Sequence, residues 1–351
     1  MKSTLSGPIE LFNFQQKPED AQQQDGPQTF QDYLGQEVIK QKLNVYVKAC
    51  AQREEPLDHL LIFGPAGLGK TTLARVIAKE LNVPFKVTSA PVLERGGDLV
   101  AILSNLAPRE VLFIDEIHRL PKAVEEVLYS AMQEFAVDMM IGQGATAKSV
   151  RLPLNPFTLI GATTKTGMIS APLQTRFGIV ERLDFYTAEE LGTIAEQNAK
   201  YLNITIDRDA AQLIGSRARG TPRIVKRILR RVRDFAQVHG DNSHICLDMA
   251  KQGLTFLGLD DDGLSKLDRD ILLVLLRDFD GGPVGLETLA AITGEDKETI
   301  EDFCEPYLLR QGLLQKTPRG RQIPPSKMLT LRKKFLIESI ALQKNIFDAT
   351  T

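Results

Sequence analysis

Residues 60–71 read Leu60-Leu61-Ile62-Phe63-Gly64-Pro65-Ala66-Gly67-Leu68-Gly69-Lys70-Thr71. The second part matches G-x-x-x-x-G-K-[ST] in full, and it sits between an apolar strand candidate, His59–Phe63, and a helical pattern, Thr71–Leu81. That context decides the fold class. A glycine-rich loop between a strand and a helix wraps phosphates with backbone N–H groups, and the helix N-terminus adds partial positive charge. Lys70 can reach the β- and γ-phosphates of ATP, and Thr71 can ligate Mg²⁺. Gly64, Gly67, Leu68 and Gly69 supply the cradle.

Outward from the loop, short apolar runs alternate with amphipathic ones as far as residue 183. Further strand candidates are Phe85–Thr88, Val111–Ile114, Phe157–Gly161 and Ile179–Leu183. Strands alternating with helices predict a mostly parallel sheet covered by helices on both faces. The strand Val111-Leu112-Phe113-Ile114 runs into Asp115-Glu116, which places Asp115 to hold Mg²⁺ through water and Glu116 to position or deprotonate the attacking water. The adjacent His118 and Arg119 read as supporting or surface residues. The next strand ends at Gly161-Ala162-Thr163-Thr164, where a hydroxyl can meet the γ-phosphate or the lytic water; Thr164 is the choice over Thr163. Arg176, in Thr175-Arg176-Phe177, is placed to stabilise charge on the γ-phosphate of a neighbouring subunit. Thr221-Pro222-Arg223 opens a helix with Thr221 as N-cap, and Arg223 could reach the same phosphates. Two arginines on different elements, one acting from a neighbour, imply a ring.

The 351 residues exceed one compact core. Residues 1–28, rich in Gln, Asp, Glu and Pro, read as a disordered arm. Residues 29–183 form the α/β P-loop core, and residues 184–258 a small all-helical domain. Residues 259–325 give three helices (Leu267–Phe279, Leu286–Ile292, Lys297–Arg310), a strand Leu313–Lys316 and a turn through Thr317–Arg321, the winged-helix plan. Residues 326–351 read as an amphipathic helical tail with a basic start. The net charge of −2 announces no nucleic-acid binder, so DNA contact has to come from local clusters. Eight Lys/Arg and no acid lie between Arg217 and Arg233, and seven Lys/Arg and no acid between Lys316 and Lys334. Lys316, Arg319 and Arg321 on the wing suit phosphate contacts without sequence choice. Part of the face carrying Lys226, Arg227 and Arg230 should instead pack on neighbours. Cys50, Cys246 and Cys304 are far apart with no CxxC pair, which argues against a disulfide framework or zinc site. No signal pattern or membrane-length apolar run is present, and a cytoplasmic protein is expected.

Together the stretches DHLLIFGPAGLGKTTLA, VLFIDEIHRL, FTLIGATTKTG, RFGIVERLDFY, ARGTPRIVKRILRRVRDFA and GLLQKTPRGR resemble the AAA+ superfamily, and within it the bacterial RuvB family of Holliday junction branch migration ATPases. The similarity spans about Thr29 to Arg321. It implies a homo-hexameric motor on duplex DNA that works with RuvA and a RuvC-type resolvase. Carried over residue by residue, Gly67, Lys70, Thr71 and Thr72 would bind ATP and Mg²⁺. Arg176 would be the trans-acting finger, and Tyr186 and Arg223 would contact nucleotide from the lid. Gln133, Glu134 and Phe135 would be another nucleotide-proximal stretch, with Gln where the family usually has Glu. Residues 137–154 resemble the hairpin that docks RuvA. This chain departs from the family at Asp25-Gly26-Pro27, where Leu-Arg-Pro is usual, at Ala66, at Lys316, and in the tail.

Two rival readings share parts of this pattern. A clamp-loader-like assembly ATPase would carry Ser-Arg-Cys at the finger and a helical collar. A sequence-specific regulator would need a recognition helix able to read bases, yet Lys297–Arg310 carries Glu298, Glu301, Asp302 and Glu305.

Overall fold

A computed structural model describes residues 26–141, 148–240 and 244–335. The expected N-terminal arm before residue 26, the tip of the hairpin including Gly142 and Gly144, and the tail beyond residue 335 lie outside the described residues. The chain divides into two compact units, residues 1–250 and 251–351.

In the first unit, β1 (Leu60–Phe63), β2 (Phe85–Ser89), β3 (Val111–Asp115), β6 (Thr158–Thr163) and β7 (Ile179–Arg182) form one sheet in the order β2-β3-β6-β1-β7. All four pairings are parallel. Every residue of β6, and Val111 to Ile114 of β3, is buried. A strand buried on both faces needs a helical layer on each side, which explains why these strands are continuous apolar runs rather than alternating ones. On one side Leu61, Leu112, Ile114 and Leu159 pack with Leu99, Val100 and Leu103 of α3 (Gly96–Leu103) and with Val124, Leu128 and Met132 of α4 (Lys122–Glu134). The edge strand β7 alternates buried and exposed residues instead.

Strand ends shift from expectation by one or two residues. His59 lies just before β1: its carbonyl accepts the Ile179 N–H at 3.1 Å, while its ring Nδ1 accepts the Leu159 N–H at 2.9 Å and Nε2 lies 3.0 Å from the Met132 carbonyl. After α4, β4 (Ala136–Ile141) and β5 (Lys148–Pro153) pair antiparallel as the anticipated hairpin. The lid then runs α6 (Ala188–Tyr201), α7 (Arg208–Arg217), α8 (Pro222–His239) and α9 (Leu247–Phe256). It is helical apart from one two-residue parallel pair, β8 (Thr205–Ile206) with β9 (His244–Ile245), too short to leave a periodic signal. Helix α8 buries Val225, Ile228, Leu229, Val232 and Ala236, while Lys226, Arg227 and Arg230 are half-buried beside that stripe. Thr221 occupies the N-cap position of α8, but its side chain makes no capping bond.

The second unit is a winged helix. It contains α10 (Lys266–Asp278), α11 (Leu286–Thr293) and a third helix spanning 297–310, whose middle, Ile300–Cys304, has π geometry. Pro306 follows that stretch and has no N–H to return to the Asp302 carbonyl, so the ladder has to be rearranged there. The wing pairs β10 (Gln315–Thr317) with β11 (Gly320–Gln322). Its first strand starts later than Leu313, because the N–H groups of Leu313 and Leu314 both close the preceding helix onto the Leu308 carbonyl.

A separate tail beginning at residue 326 is not what the structure shows. Residues 325–335 are helical, and Leu331 and Phe335 are buried in the same core as Leu272, Leu275 and Leu308. Lys334 donates to Asp260 at 2.7 Å and Asp262 at 2.6 Å. The amphipathic pattern there belongs to a fourth core helix. Phe335→Ala should therefore lower the stability of the C-terminal unit by about 3–4 kcal/mol, seen as an earlier urea transition. An unchanged midpoint would mean that this helix is not part of the core.

Candidate nucleotide and DNA sites

A parallel sheet collects its strand ends on one edge, and ligands bind where neighbouring connections diverge. Here β1 ends at the phosphate loop, β3 at Asp115 and β6 at Thr163, with β6 between the other two. The register joins Phe63 to Thr163, and the Gly64 N–H donates to the Thr163 carbonyl at 3.2 Å. Adjacent strands thus bring three sequence-distant motifs to one edge.

The loop has backbone that only glycine adopts easily. Gly64 has φ 144°, and a Cβ there would stand 2.5 Å from the Leu183 carbonyl oxygen. Gly67 has φ 82°, and a Cβ there would touch the Arg223 side chain at 3.0 Å. Lys70 opens α2 (Lys70–Glu80), is 8% exposed, and donates to the Gly64 carbonyl at 2.8 Å and the Pro65 carbonyl at 3.0 Å. Burial pushes its ammonium below the usual lysine range; Asp115 and Glu116 pull it back up, and Arg223 lowers it further. A polyanion beside Lys70 would relieve that burial cost, and the N–H groups at the start of α2 face the same loop. The residues therefore fit a nucleoside triphosphate with Mg²⁺. Thr71 and Thr72, both half-buried, follow Lys70. Thr71 and Asp115 are the residues that would hold the ion, which neutralises charge on the phosphates.

Glu116 stands in the left-handed region at φ 49°, an uncommon conformation for a residue with a side chain and one found at functional sites. Its Oε2 accepts from the Thr164 hydroxyl at 3.4 Å and lies 3.3 Å from His118 Nδ1. Thr163 is fully buried and bonded to His118 at 2.8 Å, so the exposed side of the pair falls to Thr164. His118 is closer to this chemistry than its sequence position suggested: it ties the end of β6 to Glu116. Burial lowers its pKa, while Glu116 works in the opposite direction.

The lid closes one side of the loop. Tyr186 donates to the Leu68 carbonyl at 3.2 Å, and its own N–H bonds the Gly220 carbonyl. The Arg223 N–H reaches the Gly67 carbonyl at 3.3 Å, which leaves the exposed Arg223 side chain beside the loop. The Leu68 side chain is fully buried, so only its backbone can serve a ligand. Tyr33, which no sequence motif singles out, joins this wall: its hydroxyl is 3.2 Å from that of Tyr186 and 3.5 Å from the Leu68 carbonyl. Burial raises the pKa of both phenols.

Arg176 is not at this edge. It precedes β7, whose first residue Ile179 pairs with Leu60 at the start of β1. The four residues of β1, about 13 Å, separate that end from Gly64. Arg176 donates to Gln133 at 3.2 Å and to the Pro172 carbonyl, and its guanidinium carbon stands 4.5 Å from the centre of the Tyr129 ring. Gln133, Glu134 and Phe135 are on the same far side, since α4 ends beside His59. These three residues are thus not brought to this chain's own phosphate loop, and any nucleotide near them would be one presented to the Arg176 side. They end a helix that points away from that loop, Gln133 on Arg176 and Glu134 paired with Arg151.

On the wing, Glu305 is 1% exposed and is bonded by Lys316 at 2.5 Å and Arg321 at 2.6 Å, with Glu301 nearby. A buried carboxylate held by two cations pins the wing to the third helix. Lys316 and Arg321 are therefore structural pairs first. Arg319 lies exposed at the turn and forms no ion pair among the described residues.

Residues 26–183 match the Holliday junction DNA helicase RuvB P-loop domain, residues 186–260 the RuvB AAA lid domain, and residues 261–332 the RuvB C-terminal winged helix domain. The chain belongs to the RuvB family. It is 54% identical over 300 residues to the Holliday junction branch migration complex subunit RuvB of Limosilactobacillus reuteri strain DSM 20016, covering 86% of this chain and 88% of that one. The same figures hold for the protein of that name from L. reuteri subsp. reuteri strain JCM 1112. Among solved structures, the Thermotoga maritima RuvB Holliday junction branch migration motor is 45% identical, with a TM-score of 0.76 over 87% of this chain and 97% of that one. The family membership confirms the P-loop core, lid and winged helix anticipated from the sequence, and sets aside the helical collar of the clamp-loader reading.

Glu116→Gln should bind ATP with little change and lose hydrolysis by at least about 100-fold, and Lys70→Ala should lose both; nucleotide titration and phosphate release separate the two. Arg319→Ala should weaken DNA binding equally for unrelated sequences and reduce the salt slope by about 1, measured by fluorescence anisotropy across a salt series.

Proposed function

We infer that this chain is an ATP-hydrolysing motor subunit that assembles as a homo-hexameric ring on duplex DNA and, with RuvA, drives branch migration of four-way junctions. The observation that carries this reading is the placement of Arg176. The phosphate loop, Asp115, Glu116 and Thr164 gather at one edge of the sheet, whereas Arg176 is held at the other. An arginine there serves a γ-phosphate only if a second copy presents its own loop to it, and repetition of that head-to-tail contact closes a ring.

Within such a ring each site would draw on two subunits. Lys70 and the loop N–H groups hold the phosphates, Glu116 takes or orients the attacking water, and Thr164 fixes the Glu116 carboxylate. Arg223 reports the phosphate state to the lid because α8 begins on the Gly67 carbonyl. Arg319 of the wing would supply phosphate contacts that ignore base sequence, as movement over any sequence demands. Lys316 and Arg321 would add to the local field while holding the wing in place. The hairpin β4–β5 would dock RuvA, and a RuvC-type resolvase would act on the same junction. Among the described residues no helix is long and apolar enough to cross a membrane; a cytoplasmic location accords with work on DNA.

The test combines the purified chain, ATP, Mg²⁺ and a labelled synthetic four-way junction, with and without RuvA. Resolution into duplex products that needs ATP, rises with RuvA and disappears in Glu116→Gln is the expected result. Steady ATP hydrolysis with an intact junction under every condition would refute it. Arg176→Ala should retain nucleotide binding and lose turnover by roughly 10³-fold or more.

A further inference from the structure

The edge that carries Arg176 holds a polar cluster that plays no part in binding this chain's own nucleotide. Glu125, Tyr129 and Gln133 recur at every fourth residue of α4, so they share one stripe, while Val124, Leu128 and Ala131 fill the core behind them. The Glu125 carboxylate is buried, and its Oε2 accepts from the Ser170 hydroxyl at 2.8 Å and from the Tyr129 hydroxyl at 3.0 Å. The two hydroxyls are themselves 3.1 Å apart. Two oxygens, Glu125 Oε2 and Ser170 Oγ, thus hold the phenol hydroxyl. Ser170 sits at the N-cap position of the short helix Ala171–Gln174, yet its side chain makes no capping bond there. Its hydroxyl is committed to the cluster instead.

The fixed ring lies against the Arg176 guanidinium, 4.5 Å from ring centre to Cζ. Gln133 and the Pro172 carbonyl accept from the two terminal nitrogens, and Nε is buried with no acceptor. No carboxylate pairs with Arg176 among the described residues. A π face and two neutral oxygens hold a guanidinium in place without cancelling its charge, whereas an acidic partner would have to be broken away before the group could serve a phosphate.

We propose that Tyr129, locked by Glu125 and Ser170, is the positioning residue of Arg176, a shelf that presents the charged guanidinium to the nucleotide of the adjacent subunit. This rests on the trans-acting reading of Arg176 given above. Tyr129 touches no nucleotide; it acts through the arginine. Removing the ring should therefore impair the neighbour's hydrolysis and leave the variant's own phosphate loop competent.

Subunit mixing tests this directly. Tyr129→Leu alone should lower kcat by about tenfold or more with nucleotide affinity nearly unchanged, and Tyr129→Phe, which keeps the ring, should retain most of the rate. Glu116→Gln subunits cannot hydrolyse ATP but carry an intact shelf and finger. Mixed one to one with them, Tyr129→Leu subunits should regain ATPase above the sum of the separate proteins, as should Arg176→Ala subunits. Recovery in both mixtures supports the proposal. Recovery with Arg176→Ala but not with Tyr129→Leu overturns it, because Tyr129 would then matter inside its own subunit. Failure of the Arg176→Ala mixture overturns the trans-acting reading itself. Full activity of Tyr129→Leu alone would also exclude the shelf.

Discussion

The parallel pairing of β1 with β7 ties Leu60 to Ile179 and Phe63 to Arg182, and most of what this protein can do depends on it. Because the two strands run the same way, the loop that follows β1 and the arginine that precedes β7 have to lie at opposite ends of the pair. One end carries the phosphate loop. The other carries a cation with no phosphate of its own. If Arg176 serves a neighbouring subunit as proposed, the hydrolytic centre is split across the sheet and assembly becomes part of the chemistry.

The edge that carries the phosphate loop is rigid where the strands meet and strained where the chain leaves β3. Strands β3, β6 and β1 are buried on both faces, so the points at which they release the chain cannot drift. The strain is local: Glu116 stands at positive φ after β3, whereas Gly64 and Gly67 take positive φ in the loop without a side chain to clash. His118 and Thr164 both reach Glu116, so the carboxylate is fixed by the ends of two neighbouring strands rather than by its own loop alone. The lid adds the third wall with Tyr186 and the start of α8. The phosphate loop is joined to the lid through the hydrogen bond from the Arg223 N–H to the Gly67 carbonyl.

Charge is used in two ways. On the wing, Lys316 and Arg321 are bound to Glu305, so a run of cations that reads as one DNA-facing patch is largely internal framework. At the far edge of the sheet, Arg176 is held by a ring and neutral oxygens and keeps its charge available. Both arrangements contain arginine near a carboxylate. They differ in which group the carboxylate bonds: in one it is the cation itself, in the other it is the Tyr129 hydroxyl that supports the cation.

The local signals of the sequence determined the P-loop, the acidic pair at the end of β3, the βα alternation, the lid helices and the three-helix start of the winged helix. Each of these is written in neighbouring residues, as glycine spacing, apolar runs or helical periodicity. Tertiary structure alone decided the rest. The role of Tyr33 beside Tyr186 depends on residues more than 150 positions apart coming together at the Leu68 carbonyl. That Gln133 meets Arg176 and not this chain's own phosphate loop depends on which end of the sheet α4 reaches. The pattern at 325–335 announced an amphipathic helix, but its burial among Leu272, Leu275 and Leu308 required the other helices to be in place. A sequence states which groups a segment carries and with what period. Which partner each group meets is set by strand order and direction, because long-range pairing leaves no mark in any local window.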